Sequence, residues 1–502
     1  MKTLLPPGAQ AIGYKALVDK YDLKVVPHHR WSYIVPKGAR KVLDDQVPAL
    51  YLYDIGYALE NSHDFEHLAF ALKHEGLNLD IINCFFKLVS QDDVANYIRQ
   101  QPSGKYHRMM WYLYESLTNQ ILDIPGLVNG SYVNLLDSGD YYTCEPVAKK
   151  RQRINDNLLG NITGLCPFVR KTECLQKAEA TQLDRVAREI VESYDPRILE
   201  RASTFLYTHE TMSSYEIERE RPDKKRLTRF IDLVKKAETT AQLTHETLFQ
   251  LQGSVVEERF AQYAYRTTQN FVGHVTDWRR QNVDYISPCP EAVIPMMNDL
   301  LDSLQRMLES NVHPIVMAAA ISFAFVYIHP FDDGNGRLHR FLIHYILHTT
   351  RFSPKGMIFP ISAVILADMQ RYYKVLETFS QPLMECITGY EISDDGILTV
   401  EQETTYLYRF VDYTAHAEFL ANCIEQTIAT DFKKELEYLT RYDAAKQAIS
   451  QIVDMPDHLL DLFIVLVTQN NGALSSKKRQ QHFAMLTDDE VEKMEAVVRD
   501  MM

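Results

Sequence analysis

From Pro314 to Ile328 the chain carries no charge and would be apolar on nearly every face of a helix. Such a helix has no side to offer to water, so other elements must wrap it and it must sit at the centre of a core. It is too short to span a bilayer, and it runs directly into polar residues at His329. The segment therefore predicts a mainly α-helical fold built around 313–328, with neighbouring helices over 291–308 and 335–348.

Chemistry is concentrated where that helix ends. Residues 329–340 read His-Pro-Phe-Asp-Asp-Gly-Asn-Gly-Arg-Leu-His-Arg. Pro330 stops ordinary helix propagation, and Gly334 and Gly336 permit a tight path with backbone amides turned inward. A helix starting at Asn335 or Gly336 would offer its unpaired amides to a phosphate. Arg337 and Arg340 are three apart and share a helix face, giving two anion-binding forks. His329 suits a general base near neutral pH, taking a proton from a serine, threonine or tyrosine hydroxyl as it attacks phosphorus. Asp333, beside the glycine turn, is the better magnesium ligand, and Asp332 is left to solvent. In isolation these residues also fit a capped helix with a core histidine and arginines paired to acids; that reading leaves their joint spacing unexplained. GxxxxGK[ST] is absent, so this is not a Walker loop.

The rest of the chain sets bounds. Its 502 residues allow two to four domains, and 53 basic against 67 acidic residues give a formal charge of −14. That balance gives no strong nucleic-acid signal. Lys149, Lys150, Arg151 and Arg153 form a local basic run, which reads best as a solvated or internally paired surface. The seven cysteines are scattered without a CxxC pair, which fits a reducing compartment and offers no local zinc signature. With no apolar leader before Pro6-Pro7-Gly8 and no membrane span, the expectation is a soluble cytoplasmic protein.

Three regions are expected. An amino-terminal extension over 1–190 is mostly helical from Pro48 to Thr118, with loops and short strands over 125–170. A catalytic core over 191–385 has one helix ending near Glu200, another including Ser213 to Glu220, and a surface hairpin or loop over 268–290. A carboxy-terminal region over 386–502 is helical, with a small helical or winged module after Asn470-Asn471-Gly472.

Residues His329 to Arg340 resemble the signature HPFx(D/E)GNGRxxR of the Fic (Fic/DOC) family at every fixed position. The resemblance implies a Fic-type helical core with a short β-hairpin flap. It implies AMP transfer from ATP to a protein hydroxyl, with Mg2+ bound and pyrophosphate leaving. By the same likeness His329 is the base and Asp333 the metal ligand. Gly334, Asn335 and Gly336 form the phosphate cradle, Arg337 engages the nucleotide phosphates, and Arg340 orients the terminal one. The family also includes members that use another donor and members that remove AMP. A catalytically silent nucleotide-binding protein is a further alternative.

Upstream, Ser214 and Glu218 are i,i+4, so a helix would present both on one face, either as an exposed polar stripe or as a brake. If that helix crosses the catalytic mouth, Glu218 would pair with Arg340. Thr211 to Arg219 resembles the family's inhibitory motif (S/T)xxxE(G/N), found ahead of the catalytic core in many members, with Arg219 at the usual glycine or asparagine position. A water-positioning role for Glu218 in AMP removal stays open. Residues 269–286, with Phe271 and Val272, resemble the target-positioning flap, which would align a protein substrate by backbone pairing. Residues 95–166 resemble the amino-terminal extension of longer members. Self-modification and a homodimer are compatible with the chain.

Overall fold

The computed structural model describes residues 5–36, 41–43, 48–59, 63–237, 242–277, 280–393 and 395–502, and it is mainly α-helical with small sheets. Two compact units interleave along the chain. One comprises Met1–Lys177, Asp223–Thr350 and Asp368–Ala421; the other comprises Ala178–Pro222, Arg351–Ala367 and Asn422–Met502.

The first unit opens with a four-stranded sheet in the order Gln10–Ile12, Arg30–Ile34, Ala49–Tyr53, Lys41–Leu43. The central pair, Arg30–Ile34 and Ala49–Tyr53, is parallel, and both outer pairings are antiparallel. The helical pattern expected from Pro48 therefore starts later, at Asp64. Ala-Leu-Tyr-Leu-Tyr is short and β-favouring, and it pairs with Arg30–Ile34 and Lys41–Leu43, contacts that the periodicity of one segment cannot report. Helices Asp64–His74, Leu79–Phe86, Gln91–Gln100 and Lys105–Thr118 follow. Side chains of Asn78 and Ser90 cap the second and third of these by accepting from Ile81 and Asp93 amides.

Short strands Val133–Asn134, Val147–Lys149 and Ile154–Asp156 form a three-stranded sheet inside the expected irregular segment. Three residues of the basic run there are engaged internally, and Lys150 is exposed. Arg151 meets Glu115 at 3.3 Å and donates to the Leu122 and Ile124 carbonyls. Arg153 donates to the carbonyls of Leu127 and Gly130, and Lys149 lies 3.7 Å from Asp156.

Around the apolar centre the expected helices are present as Pro290–Glu309, Pro314–Ile328 and Asn335–Thr349. Every residue from Ile315 to Phe325 is buried. Helix Pro314–Ile328 packs against both neighbours, and His245–Val255 packs on Asn335–Thr349. The segment expected as a hairpin or loop is a two-stranded antiparallel hairpin, Phe271–Asp277 with Arg280–Ile286.

In the second unit, helix Pro196–Ile217 runs through Glu200 rather than ending there. Asp195 caps it and Pro196 occupies its first turn, which places the boundary earlier than the expected one. It packs on Ile361–Ala367, where the buried Glu210 carboxylate accepts from the Ser362 amide at 2.7 Å. At the carboxy terminus Asp457–Gln469, Ser476–His482 and Asp488–Met501 enclose Phe463, Phe483 and Met494. Among the described residues of 422–502 there is no strand, so the module is helical rather than winged.

Candidate active site

His329 caps the apolar helix in the left-handed region, φ 51, and its amide donates to the Phe325 carbonyl at 3.0 Å. Pro330 cannot continue the helix, so the chain turns away at a fixed place. The imidazole Nδ1 lies 3.1 Å from the Val326 carbonyl oxygen. A carbonyl only accepts, so Nδ1 donates, and in the neutral ring the lone pair is then on Nε2. The side chain is half-buried at the end of a rigid, fully packed helix.

The loop after His329 is held by residues that sequence reasoning missed. Arg266 is buried and donates from Nε to the His329 carbonyl at 2.8 Å. Its other nitrogens donate to the carbonyls of Thr268 at 2.8 Å and Pro288 at 2.6 Å, and its amide donates to the Pro330 carbonyl. One guanidinium thus joins the His329 loop to both ends of the hairpin segment. Burial lowers the Arg266 pKa from its ordinary value, with nearby tyrosines and Asp332 opposing. Asn270 adds a second tie, donating from its amide side chain to the Phe331 carbonyl. Nothing local marks Arg266 in the sequence, because its partners are backbone oxygens far along the chain.

Asn335 closes the loop. Its Oδ1 accepts from the Phe331 amide at 3.1 Å, and its Nδ2 donates to the Phe331 carbonyl at 2.7 Å. Its side chain therefore shapes the turn. Gly334 has φ +91, and a Cβ there would lie 3.1 Å from methyl carbons of both Val255 and Val256. Both facts call for glycine. Gln252 donates to the Asp333 carbonyl at 3.2 Å, and Gln262 brackets Asp332 through a donor to its carboxylate and an acceptor for its amide.

Asp333 Oδ1 accepts from the Gly334 amide at 2.6 Å and from Arg337 Nη2 at 2.7 Å. Its side chain is 49% exposed, whereas that of Arg337 is 2% exposed. Arg337 also donates to the Val255 carbonyl at 2.8 Å. Arg340 is buried one turn further along the same helix. His339, at a variable motif position, is fully buried with Nδ1 donating to the Ser322 carbonyl; burial pushes its pKa down to about 3.

One loop and one helix start thus bring together His329, Asp333, Gly334, Asn335, Gly336 and Arg337. Phe271 and Val272 lie on the hairpin, where Val272 pairs with Tyr285 and is exposed. Ser214 and Glu218 belong to the other unit. Ser214 is buried within helix Pro196–Ile217, whereas Glu218 is its exposed C-cap. Arg219 follows with φ 57, a left-handed position that favours glycine or asparagine.

A phosphate beside the helix start would meet backbone amides and a buried arginine, with an imidazole lone pair nearby. Asp333 is a half-exposed single carboxylate, which suits Mg2+ when phosphate oxygens and water complete its shell. Among the described residues no three His, Cys, Asp or Glu side chains cluster as a protein-only metal site.

Residues 242–347 match the model of the Fic/DOC family. The chain is 37% identical over 112 residues to "Protein adenylyltransferase Fic" of Nematostella vectensis, covering 22% of each protein. It is 34% identical over 144 residues to "Protein adenylyltransferase fic-1" of Caenorhabditis elegans, covering 26% of each. The matched part spans between 17% and 32% of the length of such relatives. A solved Fic family protein from Desulfovibrio desulfuricans G20 aligns with TM-score 0.37 and 18% identity, over 63% of this chain and 86% of that one. The helical core is of Fic type, and residues 242–347 are the part of the chain that is similar to the Fic/DOC family.

Proposed function

We propose that this chain is a protein adenylyltransferase, moving AMP from ATP to a serine, threonine or tyrosine hydroxyl of a protein. The observation that carries the reading is the 3.1 Å contact of His329 Nδ1 with the Val326 carbonyl, which directs Nδ1 to donate and, in the neutral ring, makes Nε2 the basic nitrogen beside an amide-rich turn. In the proposed step the target hydroxyl loses its proton to Nε2 as its oxygen bonds to the α-phosphorus. The bond to the β-phosphate oxygen breaks, and pyrophosphate departs. The turn amides at Asn335 and Gly336 and the Arg337 guanidinium hold the phosphates, the Gly334 amide being used by Asp333. Mg2+ on Asp333, when bound, offsets their negative charge. Val272, exposed on the hairpin, suits pairing with an extended target segment.

The likeness of Ser214 to Arg219 to the inhibitory motif supports a brake acting through Glu218. Incubation with Mg2+ and ATP labelled at the α- or γ-phosphate tests both readings. Protein-bound label from the α position alone, lost in His329→Ala and raised in Glu218→Gly, is the expected result. Label from the γ position alone would replace adenylylation with phosphorylation.

A further inference from the structure

A cavity of about 740 Å³ opens in the amino-terminal part of the first unit and shares no residue with the His329 loop or its supports. Arg30, Lys73, Lys105, Arg170 and Lys171 line it. Two carboxylates, Asp137 and Asp140, line it as well. Arg170 is paired at 2.9 Å with Asp412, which lies outside the lining. The remaining four cations still outnumber the two acids, so the cavity favours an anion. Arg30 stands over the Tyr51 ring at 5.0 Å and Lys105 over Tyr106 at 5.5 Å, contacts that orient both cations without neutralising them. His29, another wall residue, is held well below its ordinary pKa by burial and then by His28, Arg170 and Arg30, which agrees with a positive interior.

The floor is rigid before any ligand arrives. Glu75 to Asn78 forms a turn whose carbonyls and amides are tied from several directions. Arg30 Nε donates to the Glu75 carbonyl at 3.1 Å, and His28 Nε2 lies 2.9 Å from the same oxygen. The Tyr14 hydroxyl donates to the Gly76 carbonyl and accepts from the Asn78 amide. Gly76 has φ +92, and a Cβ there would sit 2.2 Å from the Tyr141 hydroxyl, so only glycine admits that ring to the wall. The 14-residue helix Lys105–Thr118 begins at the cavity with Gly104 as its N-cap and no side-chain cap. Its positive end adds to the same field.

We propose that this cavity is a second ligand site, taking a small phosphorylated ring compound of the nucleoside monophosphate class. Arg30, Lys73 and Lys105 serve the phosphate, and the tyrosines of the lining serve the ring. The volume lies within the usual range for a pocket that encloses a ligand of that size. The inference is independent of whether the His329 site transfers AMP.

Lys73 and Lys105 are exposed, so reversing them leaves the core intact. Isothermal titration of the full chain with AMP would be compared with the Lys73→Glu/Lys105→Glu variant, with inorganic phosphate as the second probe. The expected result is a saturable AMP-binding event, retained when Arg337→Ala removes binding at the His329 loop, that weakens at least about tenfold in Lys73→Glu/Lys105→Glu, at an unchanged thermal midpoint. Inorganic phosphate should bind the unaltered chain at least about tenfold more weakly than AMP. AMP binding of the same number and affinity in both proteins would overturn the site. Equal affinity for AMP and phosphate would overturn the ring-bearing class.

Discussion

Arg266 Nε donates to the carbonyl oxygen of His329 at 2.8 Å, while the same guanidinium donates to Thr268 and Pro288 beside the hairpin. The proposed base and the proposed target-binding hairpin therefore share one buried support. Arg266→Ala should leave several buried carbonyls without donors and cost about 3 kcal/mol in denaturant unfolding. AMP transfer should fall on the order of 100-fold in kcat, with a much smaller change in KM for ATP, because placement of the base is lost. Arg266→Lys should rescue little, since one ammonium cannot reproduce the planar fork.

Asn335 uses both ends of its amide on the Phe331 backbone. Asn335→Ala should lose about 2 kcal/mol of stability through those two bonds. Asn335→Asp keeps an acceptor, removes the donor and buries a charge, so near neutral pH it should be the more damaging change. Thermal midpoints of the two variants, measured side by side, check the order.

Arg219 holds φ 57 immediately after the cap of helix Pro196–Ile217. For a residue with a Cβ that conformation costs roughly 1 kcal/mol, and glycine avoids it. Arg219→Gly should therefore raise the thermal midpoint, and Arg219→Asn should raise it less. A lowered midpoint in Arg219→Gly would mean that contacts of the arginine outweigh the backbone cost.

Burial holds His339 at a pKa of about 3, and His28 and His416 at about 4 and about 3. Folding keeps these rings neutral, while the unfolded chain protonates them near pH 6.5. The unfolded state then binds more protons, so stability is full above about pH 6.5 and declines as pH falls towards the folded values. His339→Asn retains a donor for the Ser322 carbonyl but does not titrate. It should flatten the decline between about pH 6 and pH 4 by about 1.4 kcal/mol per pH unit, read from urea unfolding across that range.

The uniform apolarity of 314–328 was enough to require a buried central helix, because no arrangement of it with one face in water is stable. The dense run from His329 to Arg340 likewise marked the candidate site, since its glycines and arginines act through short-range geometry that spacing along the chain reports. Local pattern did not reveal the strand Ala49–Tyr53, because its pairing with Arg30–Ile34 and Lys41–Leu43 lies outside the segment's own periodicity. Glu218 could be read as i,i+4 from Ser214, yet only the folded helix end makes it a cap followed by a left-handed arginine. The sequence by itself determined the helical core and the chemistry available at its end. The tertiary structure decided how that chemistry is held. Arg266, Gln252 and Gln262 support the loop through backbone and side-chain partners brought near only by folding, and a backbone carbonyl leaves no signature in the residue that bonds to it.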